Sequence, residues 1–169
     1  LVEPHGQHGI VGYMRGAYVL NMLAQEMGEQ AVIKGLRLLV ERRTGKASDW
    51  SDVALALQDA AVRDLRWFFS QWLWSKQRPS LSFGRAEAAL SGGEWLTTVR
   101  LVQTGVASPY RLRFDVVLET PKGDQRFPVV MEQMNQAYTF STAARPSRAR
   151  TDCFGKSLAE PAPTILVAG

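Results

Sequence analysis

A chain of 169 residues, 46% of them hydrophobic, is long enough for one domain or two small ones around a true core. Its net charge of +4 is spread thinly, with nine Lys/Arg against eight Asp/Glu through Lys76 and eleven against eight beyond it. The densest cluster, Arg145, Arg148 and Arg150, has no interleaved aromatics, so the basic stripe of a nucleic-acid binder is missing and no nucleic-acid partner is expected.

No apolar run reaches the roughly eighteen residues of a membrane-crossing helix. The start, Leu1-Val2-Glu3-Pro4-His5, has neither the basic nor the apolar stretch of a signal peptide. A first residue other than Met fits a trimmed or processed segment, and no localisation is read. Cys153 is the single cysteine, so no internal disulfide is available; its expected role is a small apolar residue on a strand.

Up to about residue 78 the apolar residues recur with helical spacing, which predicts four helices. The first runs from about Tyr13 to Met27, with Ala17, Leu20, Ala24 and Met27 on one face and Gly28 as its stop. The second runs from about Glu29 to Arg43 on a stripe of Val32, Leu36, Leu39 and Val40, with Arg42-Arg43 at the end the macrodipole favours. Ser48 is the expected N-cap of the third, whose apolar face is Trp50, Val53, Ala54 and Leu57. The fourth begins near Asp64 and ends before Pro79, with a bulky stripe of Leu65, Phe68, Phe69, Trp72 and Leu73.

Beyond residue 78 the period becomes two. Tyr110, Leu112, Phe114, Val116 and Leu118 alternate with Arg111, Arg113 and Asp115. Further strands are expected at Leu81 and Phe83, from Trp95 to Val102, around Phe127 to Met131, and at Tyr138 and Phe140. Pro128 belongs at an edge or a bulge. The fold class is therefore α+β: an N-terminal four-helix segment followed by an antiparallel β-sandwich. The expected divisions are 1–79 helical, 80–154 sandwich, and 155–169 a Pro- and Ala-rich connector or tail.

The order of short motifs in the helical half is distinctive. Tyr13-Met14-Arg15-Gly16-Ala17 precedes Met27-Gly28-Glu29. Leu36 to Lys46 and Ser48-Asp49 follow, then Asp64-Leu65, Phe68-Phe69 and Gln71-Trp72-Leu73. This order resembles the late part of the catalytic region of the M1 family of zinc aminopeptidases. In that family a Tyr-x-Lys-Gly run opens a helix ending in Leu-Gly-Glu; here Arg15 stands for the lysine. A Gly-x-Pro usually closes the last helix, whereas this chain has Gln77-Arg78-Pro79.

The resemblance implies the end of a thermolysin-like catalytic domain plus a β-sandwich domain. It implies a peptidase in which zinc lowers the pKa of a bound water that attacks the peptide carbonyl. It also implies that Tyr13 donates a hydrogen bond to the developing oxyanion. No His-Glu-x-x-His occurs, and His5 and His8 have only Glu3 as a nearby acid. Zinc is therefore expected in the parent protein and on no residue of this chain. The expected partners are a peptide substrate and the N-terminal catalytic portion that carries the metal. The isolated chain is expected to be inactive. The alternatives are a non-catalytic M1-like scaffold or interaction module, and a helix-plus-sandwich interaction domain unrelated to peptidases.

Overall fold

The structure is a computed structural model; it describes residues 7–169, and of residues 7–14 the backbone alone. The chain divides into two compact units, Leu1–Lys76 and Gln77–Gly169.

The first unit holds α1 (Gln7–Met27), α2 (Glu29–Arg43), α3 (Trp50–Ala60) and α4 (Arg66–Phe69). A π-helical segment, Ser70–Trp74, continues α4 directly. Gly28 separates α1 from α2 at φ 87°, a left-handed conformation that glycine adopts without strain. The buried face of α1 is Val19, Met22, Leu23 and Glu26 rather than the expected Ala17, Leu20, Ala24 and Met27. Both sets have helical spacing, and the one with the larger side chains faces the core.

The cap of α3 is Asp49, one residue later than the expected Ser48. Asp49 Oδ1 accepts from the backbone N–H groups of Ser51 (2.8 Å) and Asp52 (3.1 Å), and Asp52 Oδ2 accepts from the N–H of Asp49 (3.1 Å). This reciprocal pairing satisfies donors that a helix start leaves open. Those N–H bonds hold the Asp49 carboxyl below the usual carboxylate range.

The expected helix after Asp64 runs without interruption from Arg66 to Trp74, but its turns widen from α to π at Ser70. Five bulky rings in eight residues cannot all face one core on a regular i→i+4 repeat. Phe68, Phe69 and Trp72, which share one face, are buried, while Trp74 is exposed. Trp67 meets Phe68 edge-on at 5.6 Å, and Phe69 meets Trp74 at 5.9 Å. The preceding loop is clamped by Gln58, whose Oε1 accepts from Leu65 N–H at 2.8 Å while its Nε2 donates to Arg63 O at 3.1 Å.

Helices α2 and α3 touch at Gly35. A Cβ there would stand 2.8 Å from Leu57 Cδ2 and 2.9 Å from Leu57 Cα. The second of these is backbone, so the helices would have to part. Gly35→Ala should gain about 0.5–1 kcal/mol of helix propensity and lose about 1–3 kcal/mol to overpacking. The net expectation is a lower urea midpoint for the first unit; an unchanged or raised midpoint would show that the contact is not close.

The second unit is two antiparallel sheets. One has the order β1 (Ser80–Ser91), β2 (Glu94–Thr104), β5 (Asn135–Thr142). The other has the order β4 (Gly123–Met131), β3 (Leu112–Thr120), β6 (Arg148–Asp152), β7 (Ile165–Leu166). Ser91 pairs with Glu94 across Gly92-Gly93, both at positive φ, as a tight hairpin requires. Pro128 lies in β4, an edge strand, where its missing N–H interrupts no second ladder.

Central β3 is buried on both sides, unlike the half-solvated strand that its alternation predicts. Asp115 and Val117 occupy the face expected to be wet. Lys156 Nζ donates to Asp115 Oδ1 at 2.5 Å, and Arg126 lies 3.6 Å from the same carboxylate. Both cations stay partly exposed while the carboxylate they pair with is nearly covered.

Arg126 also donates to Asp152 Oδ2 at 2.6 Å. That guanidinium, with the Phe154 N–H, holds Asp152 below its ordinary value of 3.8. A depressed folded pKa gives stability that is complete above the ordinary value and is lost as pH falls through the folded one. Asp152→Asn should therefore flatten the acid limb of thermal stability between about pH 5 and pH 1. An acid limb as steep as in the parent chain would show that the pair is not formed in solution.

The stretch from Gly155 to Gly169, expected as a connector, is built into the sheets. β7 pairs with β6, and Ala168 and Glu160 form bridges with β1 at Glu87 and Ser80. The Ala168 carbonyl accepts from Ala88 N–H at 2.8 Å, and the Glu160 carbonyl from Leu81 N–H at 2.9 Å. Thr151 Oγ1 accepts from Ala162 N–H at 2.6 Å. The segment thereby occupies part of the exposed edge of β1.

Gln103, buried on β2, ties down the loop that follows it. Its Nε2 donates to the carbonyls of Tyr110 (2.8 Å) and Gln133 (3.2 Å), and its Oε1 accepts from Tyr110 N–H (3.0 Å). Gln103→Leu would leave these backbone groups unpaired, so a loss of about 1–3 kcal/mol is expected in urea unfolding. A neutral result would mean that water replaces the amide.

Candidate active-site helix

Helix α1 starts at Gln7, so Tyr13 lies within the helix and not at its mouth as expected. The Tyr13 side chain falls outside the described residues. So does His5 entirely, and the side chain of His8.

The two residues that complete the motif are described. Arg15 Nη2 donates to the carbonyl oxygen of Trp72 at 3.3 Å. Trp72 sits in the closing turn of the π-helical segment, where carbonyls lack intrahelical donors. A guanidinium near such an end is a favourable donor to its carbonyls. Gly16 faces the indole of Trp50: a Cβ would stand 3.3 Å from Cζ2 and 3.4 Å from Cη2. Gly16 thus admits a side chain of α3 at close range. Two adjacent residues thus fix α1 against two other elements of its unit, immediately after Tyr13.

The Arg15 contact was not legible as a pattern. The motif marks Arg15 as a lysine equivalent, but its acceptor lies 57 residues later in a segment expected to be ordinary helix. The only available signal was a basic residue next to a glycine.

Among the described residues, no three His, Cys, Asp or Glu side chains are placed to hold a metal ion. Cys153 is buried just after β6, and burial pushes its thiol up to about 11. Both features fit the expected packing role. The arginines of the basic cluster are engaged locally. Arg150 pairs with Asp124 at 2.8 Å and Glu119 at 3.6 Å, and Arg148 lies 3.8 Å from Glu119. Arg145 lies over the ring of Trp95, 5.4 Å from its centroid.

No family model matches the chain. Aminopeptidase N of Escherichia coli (strain K12) is 32% identical over 72 residues, covering 43% of this chain and 8% of that protein. Aminopeptidase N of Haemophilus influenzae is 31% identical over 81 residues, covering 48% of this chain and 9% of that protein. The crystal structure of Legionella pneumophila aminopeptidase A in complex with aspartic acid matches 87% of this chain, with a TM-score of 0.61 and 14% identity. This chain resembles part of an M1-type aminopeptidase.

The chain spans less than a tenth of the length of these two curated relatives and 17% of the solved chain. At 14% identity the structural match shows the fold alone, the α+β arrangement of helices followed by antiparallel sheets. The M1-type sequence matches add a relation to peptidases.

Proposed function

We propose that this chain is part of an M1-type zinc aminopeptidase that removes N-terminal residues from peptides, and that Tyr13 stabilises the oxyanion of the reaction. The observation that carries this reading is the identity of about a third to two aminopeptidases N, joined to a fold likeness over 87% of the chain. The two sheets of the second unit then correspond to the β-sandwich that follows the catalytic region.

On this reading the zinc is held by the N-terminal catalytic portion, and this chain contributes Tyr13. What Tyr13 does follows from its own chemistry. A phenol with an unperturbed pKa of about 10 is a neutral donor near neutral pH. When water oxygen bonds to the peptide carbonyl carbon, the C=O π electrons move to oxygen. A phenolic O–H directed at that atom strengthens its hydrogen bond as the negative charge grows, which lowers the barrier. Collapse of the intermediate then restores the carbonyl and breaks the C–N bond, a proton from the attacking water passing to the nitrogen so that the shortened peptide leaves as a neutral amine.

The test is hydrolysis of a panel of aminoacyl p-nitroanilides by the intact protein, before and after dialysis against a chelator. Release of nitroaniline that is lost on chelation and restored by zinc is expected. No release from any member of the panel, with metal supplied, would instead favour a non-catalytic M1-like scaffold.

A further inference from the structure

The end of the π-helical segment is an acceptor for α1, and this has a consequence for the residue two positions before Arg15. We propose that Arg15 is a positioning residue, whose bond to the Trp72 carbonyl locks the turn of α1 that carries Tyr13. The inference rests on the proposed role of Tyr13.

Three features support it. The Arg15–Trp72 bond, at 3.3 Å, joins elements 57 residues apart in the chain, so it constrains tertiary geometry rather than the local helix. The acceptor belongs to a π-helical turn, an irregularity that proteins retain mostly where it has a use. Gly16 lies close against the Trp50 indole of α3, which gives α1 a second neighbour next to the Arg15 contact. A donor to an oxyanion gains from such fixing, because a misplacement of about 1 Å can lower the rate by about a hundredfold. Arginine suits the task, since its planar fork loses less freedom per bond than a lysine stem.

The experiment compares Arg15→Met, which keeps the stem and loses the donor, with Arg15→Lys, which keeps one donor. Each is made in the intact protein and read in two ways. Hydrogen exchange at the amides of residues 9–17 should quicken about tenfold or more in Arg15→Met while α2 and α3 keep their protection. Its kcat should fall about tenfold or more at nearly constant KM, and Arg15→Lys should recover most of both losses.

Unchanged exchange in Arg15→Met would overturn the latch whatever the activity. Faster exchange with unchanged kcat would overturn the positioning role. Tyr13→Phe serves as the control for the underlying reading. If it leaves turnover intact while Arg15→Met lowers kcat, the role of Tyr13 has failed and Arg15 acts through something else.

Discussion

Replacing Tyr13 by Phe in the intact protein should lower kcat by about 10²–10³-fold while KM stays within about twofold. The change removes one hydroxyl and keeps the ring, so any packing of position 13 is preserved. A donor to an oxyanion acts where charge develops and contributes little to binding the planar substrate. Its loss corresponds to about 2.7–4 kcal/mol of transition-state stabilisation. Thermal stability should hardly move. Equal losses in kcat and in substrate affinity would assign Tyr13 to binding, and no loss would remove it from the chemistry.

The largest stability effect is expected at Phe68. Its side chain is 1% exposed and meets Trp67 at 5.6 Å and Phe69 at 5.8 Å, both edge-on. Truncation to Ala leaves a cavity among residues already pinned by the Gln58 clamp and the π-helical turn, so relaxation is limited. The expected cost is about 3–5 kcal/mol, most of it transfer and cavity energy. The edge-on pairs add about 0.5–1.5 kcal/mol each. That is a large fraction of the roughly 5–15 kcal/mol that holds a typical domain together. Urea unfolding followed by tryptophan fluorescence reads it directly, and Phe68→Leu should recover a good part. A loss below about 1 kcal/mol would mean that the aromatic cluster is loosely packed.

What was legible in the sequence was whatever depends on local periodicity. Helix α2 begins at Glu29 and ends at Arg43 as its charges indicate, although only Val32 of its expected stripe is buried and Val40 is exposed. The alternation of Tyr110 to Leu118 found its strand, and Pro128 its edge. Failures occurred where tertiary contacts decide between two acceptable local solutions. Two apolar stripes coexist on α1, and only packing selects Val19, Met22 and Leu23. Ser48 and Asp49 are both good caps, and the reciprocal bond with Asp52 selects Asp49. β6 is not legible because Arg148 to Asp152 looks polar, and the apolar run around Ile165-Leu166 does not reveal that it pairs as β7. Their pairing comes from distant strands, to which periodicity is blind. At the candidate site, the Tyr13-x-Arg15-Gly16 motif was readable from the resemblance, but its attachment to Trp72 and Trp50 was not.

The most direct test of the account compares how the parent protein and Tyr13→Phe bind two competitive inhibitors. One is a tetrahedral phosphinic dipeptide analogue whose oxygen mimics the oxyanion; the other is a planar peptide that is not cleaved. If the Tyr13 phenol serves the oxyanion, the substitution weakens the tetrahedral compound by about 10²–10³-fold and leaves the planar one unchanged. Equal weakening of both, or of neither, would contradict it.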